Sequence, residues 1–279
     1  MSKFVRLDIY SGVPNPVWEI DEGYAAELLE QSGGVEVGLA VQTPALGYRG
    51  FTIIDSSEST SDAKVMTESA LVSFEEQQSF FGMPDVERAI LEAGQGAGAI
   101  DAELAAYISG ALDNPDVITE GAAEAAVTCP PCGGGAAPAY DPGYWNNDPT
   151  RLRNNNCYNY ANNKATNTFA QPGRASGHQL TALTCPNVNA AAVSDGLVNI
   201  PNFNASIPGW YVALVIWPGR DYHWYRQDKV GCWSHKPGST NARNVDSSGN
   251  RITDPATCDR GPYTNFCTYM TTKPNANIN

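Results

Sequence analysis

The sequence predicts a protein of two unlike α+β domains, and three observations lead there. Charge is partitioned: positions 1–128 carry 22 acidic and 5 basic residues, net −17, whereas 129–279 carry 8 acidic and 12 basic, net +4, which together make the formal −13 of the 279-residue chain. Residue types divide at the same place, with every glutamate before Cys129 and all 7 cysteines, all 3 histidines and 5 of the 6 tryptophans at or after it. The run from Cys129 to Pro142 (CPPCGGGAAPAYDP) is the most linker-like in the chain. The reading is therefore an acidic N-terminal domain over 1–128, a Cys/Gly/Pro-rich linker over 129–142 and a second domain over 143–279.

Composition narrows the class. With 42% hydrophobic and 17% charged residues and a mean hydropathy of −0.32, the chain is globular, neither disordered nor collagen-like. A pI near 4.6 argues against a surface that wraps a polyphosphate backbone, so nucleic acid is not an expected partner. No uncharged apolar run reaches 18 residues, so no membrane insertion is expected. Met1 to Asp8 lacks the apolar core of an export signal, which predicts a cytoplasmic protein or one released by a leaderless route.

Along the first domain, Val5 to Ile9 alternates like a half-buried strand, and the turn residues Ser11 to Pro16 stop it. Asp21 to Gln31 sets Tyr24, Leu28 and Leu29 on one helical stripe, with acids in the first turn where the helix dipole favours them. Leu46 to Ile54 and Ala63 to Phe74 read as a hairpin, helix being the alternative for the second run. Two helices follow, Pro84 to Ala93 and Asp101 to Leu112, the latter with Leu104, Ile108 and Leu112 in register. Without histidine or cysteine this domain offers little for catalysis. Its acidic face is a solvated skin or a docking or regulatory surface for a protein partner.

The second domain holds the chemistry. Asn154, Asn155 and Asn156 precede Cys157, and Tyr158, Ala161, Ala165 and Phe169 then follow helical spacing. Asparagine is a good N-cap, which puts Cys157 in a first turn where unpaired amides favour thiolate over thiol. Trp210 to Trp217, Tyr222 to Arg226 and Cys232 to His235 read as three strands of an antiparallel meander, with His223 and His235 on neighbouring strands. A base and the group that orients it need that proximity.

In this order the residues resemble the papain-like cysteine peptidases of the NlpC type, bacterial cell-wall endopeptidases and amidases. The resemblance covers Cys157 to His235 and implies a papain-like domain, a Cys-bearing helix packed on an antiparallel sheet. It further implies Cys157 as nucleophile, His223 as general base and His235 as orienting residue of a thiol protease or amidase acting on a peptide or peptidoglycan-like substrate. Side-chain amides from Asn154 or Asn156 would then serve the oxyanion, and Trp210, Trp224, Tyr225 and Trp233 a substrate groove, core packing explaining these aromatics equally well. Two alternatives share the scaffold: a non-catalytic binding or assembly protein, and an acyltransferase using the same triad. No cofactor is expected, and a metal site from His178, His223 and His235 has no motif behind it.

The remaining cysteines are candidates for disulfides. Cys129 and Cys132 have the spacing of a local bridge, and Cys258 and Cys267 bracket a turn-rich segment they could staple.

Overall fold

The computed structural model describes residues 2–32, 46–56, 77–80, 83–113, 127–200 and 207–279. The fold is mixed α and β, with two antiparallel sheets and seven helices among the described residues. Two compact units emerge. The first comprises 1–9, 14–43 and 47–117; the second comprises 10–13, 44–46 and 118–279.

In the first unit, strands β1 (Ser2–Leu7), β2 (Val17–Ile20), β3 (Phe51–Ser56) and β4 (Gln77–Phe80) form one antiparallel sheet in the order β2-β1-β3-β4. Helices α1 (Glu22–Gln31), α2 (Pro84–Gly96) and α3 (Ala102–Asp113) bury Leu28, Ile90 and Leu91, and Leu104, Ile108 and Leu112 respectively. Asp21 caps α1 by accepting from the Tyr24 amide at 2.8 Å. The first strand differs from the half-buried expectation, since Arg6 and Asp8 are buried along with Val5 and Leu7. A charge tolerates such a place only when paired: Arg6 Nε donates to Asp8 Oδ1 at 2.7 Å, and Thr52 Oγ1 donates to Asp8 Oδ2 at 2.7 Å. Carboxylates line the outside of the helices, with Glu22, Glu27, Glu30, Asp85, Glu92 and Glu103 exposed. The hairpin partner expected at Ala63 to Phe74 lies outside the described residues.

In the second unit, β5 (Val198–Asn199), β6 (Trp210–Trp217), β7 (Asp221–Gln227), β8 (Trp233–His235) and β9 (Asn265–Thr272) form an antiparallel sheet in the order β5-β9-β6-β7-β8. The three expected meander strands are β6, β7 and β8. Alternation of side chains then sorts the sheet into two faces. Val212, Leu214, Ile216, Tyr222, Trp224 and Met270 pack with Cys157 and Tyr158 of α6 (Cys157–Ala161) and with Val188 and Ala192 of α7 (Cys185–Ser194). Tyr211, Ala213, Val215, Tyr225 and Trp233 pack instead with Ile252 and Tyr263 of the long C-terminal loop. Two short helices, α4 (Pro142–Asn146) and α5 (Pro149–Asn154), precede α6, each with proline in its first turn and an aspartate cap, Asp141 and Asp148.

Helix α6 is shorter than its sequence period suggests. Asn156 caps it, its side chain accepting from the Tyr158 and Asn159 amides, so Cys157 does open the helix. The chain leaves helical geometry after Ala161, with Asn163, Asn167 and Phe169 at φ of 52°, 58° and 50°. Asparagine tolerates this left-handed region better than most residues, and the Asn155–Asn167 side-chain bond at 2.7 Å holds the irregular return.

Two disulfides close this unit. Cys129 pairs with Cys232 across 103 residues, and Cys185 with Cys267 across 82. These replace the expected local pairings of Cys129 with Cys132 and of Cys258 with Cys267. The physical reason at the first site is Pro131, which disfavours helical geometry at Pro130 and so prevents the tight turn a two-residue bridge requires. Cys132, Cys157 and Cys258 are free thiols.

Candidate functional site

Helix α6 and strand β7 carry the residues singled out from the sequence, and the sheet decides which of them meet. His223 and His235 do: His223 Nε2 lies 2.8 Å from His235 Nδ1. His235 Nε2 lies 3.0 Å from the Val245 carbonyl, which can only accept. His235 therefore donates from Nε2 and accepts at Nδ1, and the proton between the rings belongs to His223. Tyr225 stacks on His235 and meets His223 edge-on, and Tyr263 tilts against His223 with centroids 5.6 Å apart.

Cys157 is on the other face of the sheet. Its sulfur sits 4.0 Å from the Tyr222 carbonyl among Tyr222, Trp224 and Leu214, whereas His223 projects with Tyr225 away from that cluster. Neighbouring residues of a strand point to opposite sides, so the β7 backbone separates the thiol from the imidazole. Cys157 is fully buried, and burial, with the Asp221 carboxylate adding to it, pushes its thiol well above the usual range. A nucleophile needs the reverse: a lowered thiol pKa, access and a base in reach. The arrangement supplies none of the three to a Cys-His dyad.

The other expected site residues have structural work. Asn156 spends its carbonyl oxygen on the α6 cap and its Nδ2 on the Gly12 and Ala170 carbonyls at 3.0 and 2.8 Å, so no amide faces an oxyanion. The Asn154 carbonyl accepts from the Phe169 amide at 2.8 Å and helps fix the return after α6. Trp210, Trp224, Tyr225 and Trp233 are core, each 2% exposed or less, and form no groove. Among the described residues no group of three or more His, Cys, Asp or Glu side chains is arranged to hold a metal, and His178 is an exposed loop residue against the Ser176 carbonyl. No helix of the described residues is long and apolar enough to cross a membrane.

Three buried charges that the motif search passed over organise this unit. Asp221, at the start of β7, accepts from the Ser11, Gly12 and Val13 amides and, at 2.5 Å, from the Tyr263 hydroxyl. Burial pushes its carboxyl up to about 6 despite these donors. Arg226 pairs with Asp228 at 2.9 Å while its guanidinium lies 4.2 Å over the Tyr160 ring, and burial raises the Asp228 carboxyl although Arg226 opposes it. Lys236 Nζ donates to the Leu152, Asn155 and Gly238 carbonyls at 2.5 to 2.7 Å, closing the C-terminal end of α5. Only the Arg226-x-Asp228 spacing left a trace in the sequence; Asp221 and Lys236 meet partners about 210 and 80 residues away.

No protein-family model and no solved structure matches the chain. A curated protein does: insoluble matrix shell protein 1 of Ruditapes philippinarum is 50% identical over 140 residues, which are 50% of this chain and 93% of that protein. This finding overturns the NlpC-type resemblance and the bacterial peptidase, amidase and peptidoglycan assignments that came with it, since the similarity lies with a matrix shell protein and no peptidase family matches. The papain-like detail of the fold likewise finds no support beyond the mixed α and β architecture. At this identity, and with nearly the whole of that relative covered, the chain belongs to the family of insoluble matrix shell protein 1.

Proposed function

We propose that the protein is a non-catalytic assembly component of an insoluble matrix, with protein or matrix material as its partners. The 50% identity to a matrix shell protein across 93% of its length carries this reading. The geometry of β7 supports it, because hydrolase and acyltransferase chemistry alike would need Cys157 and His223 on one face. Two disulfides that close loops of 103 and 82 residues suit a protein matured and kept in an oxidising space outside the cytosol. The 1–128 region, with its exposed carboxylates, serves as the docking part, and the disulfide-closed sheet as the durable part.

Fractionation tests this. The protein belongs in the matrix residue that survives aqueous salt extraction, and is released by guanidinium with a thiol reductant. Recovery of most of it in the aqueous extract would refute the assembly role. In parallel, a chloromethyl-ketone or epoxide thiol probe leaves Cys157 unlabelled in the native protein. Selective labelling of Cys157 would revive catalysis.

A further inference from the structure

The two buried histidines tie a loop to the sheet through a chain of ring nitrogens. His223 Nε2 donates to His235 Nδ1, and His235 Nε2 donates to the Val245 carbonyl. The backbone of His235 exchanges two further bonds with Arg243, both 2.8 Å, and the Trp233 amide donates to the Ile252 carbonyl at 2.9 Å. The segment Arg243–Ile252 is thus held along the edge of β8, over the face that carries Tyr225, Trp233 and Tyr263.

Such a chain works only while both rings are neutral. Each contact between nitrogens holds one proton and one lone pair. A second proton would set two N–H groups against each other across 2.8 Å and place a cation among fully buried aromatic rings. We propose that His223 and His235 form an acid-sensitive latch, in which proton uptake by the pair breaks the ring chain and releases the segment Arg243–Ile252 from the sheet edge.

The groups around the pair come from several elements. Asp221 and Tyr225 share strand β7; Tyr263, Cys258 and Arg260 come from the C-terminal loop; Asp246 and Arg243 belong to the latched segment. Asp221 titrates in the opposite sense. Its carboxyl, pushed up to about 6, is neutralised more readily in the folded protein and so favours the fold as pH falls. It therefore offsets part of the latch and does not cause it.

Urea unfolding of the full chain with its disulfides intact, followed by tryptophan fluorescence between pH 6.5 and 5.5, reads the effect. Each histidine kept neutral in the fold lowers the folding constant up to tenfold per pH unit below the ordinary imidazole range, so the pair lowers it up to about a hundredfold. His223→Gln keeps an amide donor toward His235 and cannot take a proton, and its constant falls tenfold at most. The Asp221 effect is common to both proteins, so their difference isolates the pair. Hydrogen exchange at Arg243–Ile252 accelerates in acid before that of β6 and β7. Equal pH slopes in wild type and His223→Gln, or exchange at Arg243–Ile252 that ignores pH, overturns the latch. Imidazole NMR of the wild type provides a second reading that needs no variant: His178 titrates alone near pH 6.5, and titration of His223 or His235 there with the loop still protected is equally fatal.

Discussion

Removing the Cys129–Cys232 bridge is the sharpest test of the second unit. The double variant Cys129→Ala/Cys232→Ala deletes the link without leaving a new thiol. In the chain-entropy account, a loop of 103 residues restrains the unfolded state by about 4.7 kcal/mol. The second bridge barely changes this. With Cys185 still tied to Cys267, the path between the two sites runs over 56 residues (185 − 129) and then 35 (267 − 232), and a logarithmic dependence turns that shortening into about 0.1 kcal/mol. Native bridges deliver about 2 to 5 kcal/mol when removed, so the expected loss is in that range, toward its upper end. Urea denaturation followed by tryptophan fluorescence measures it; at a slope of about 2 kcal/mol per molar, the midpoint drops by roughly 1 to 2.4 M. A loss under about 1 kcal/mol would falsify the long-range pairing, as would a Cys129–Cys132 peptide in a non-reducing digest.

Thiol accessibility follows burial: iodoacetamide modifies Cys132 first, then Cys258, whose partly buried thiol is pushed up to about 12, and reaches Cys157 only on unfolding. Early modification of Cys157 would contradict its place in the core. Asp221→Asn removes a carboxyl whose folded value, about 6, exceeds its ordinary 3.8, so the Asp221 contribution is greatest in acid and is lost as pH rises from about 4 to about 6. The difference in unfolding free energy between wild type and Asp221→Asn is accordingly about 3 kcal/mol larger at pH 4 than at pH 7, and a constant difference refutes this. Arg226→Met strands the buried Asp228 carboxylate and costs about 3 to 5 kcal/mol by denaturation, whereas Arg226→Met/Asp228→Leu recovers most of the loss; equal losses in the single and double variants would show that packing, not charge, dominates.

Much of the fold is legible in the sequence where local chemistry decides it. The continuous apolar run of β6, the turn at Pro218–Gly219 and the aromatic alternation of β7 point to the meander, and Pro84 marks the start of α2. The Asn156 cap is local in the same way. Less visible is anything settled by distant partners. The end of α6 depends on left-handed asparagines held by Asn155 and Thr166, and Asp221 reads as an ordinary turn-edge carboxylate until the amides of Ser11 to Val13 fold onto it. The cysteine pairing illustrates the limit best. Local spacing favours Cys129 with Cys132, but the intervening prolines keep the two apart while β8 brings Cys232 to Cys129.

The catalytic reading fails at a finer level than fold class. Chain order places a cysteine on a helix start, then a histidine on the next strands, and helix and strands form where expected. What order does not encode is parity. A shift of one residue along β7 would turn His223 toward α6 and Trp224 away from it, converting the same elements into a thiol beside an imidazole. The observed register pairs Val215 with His223 and Leu214 with Trp224, and the apolar requirement of each face fixes it. Trp224 and Tyr222 fill the α6 face, where Tyr158 stacks against Trp224 at 5.4 Å, and His223 falls to the loop face, where it finds His235. The aromatic residues that make the sheet look like a substrate groove are thus the ones that forbid the active site. Their burial on both faces, locked by bridges from Cys232 and Cys267, yields a rigid slab whose chemistry is internal, as a matrix-building role requires and a peptidase does not.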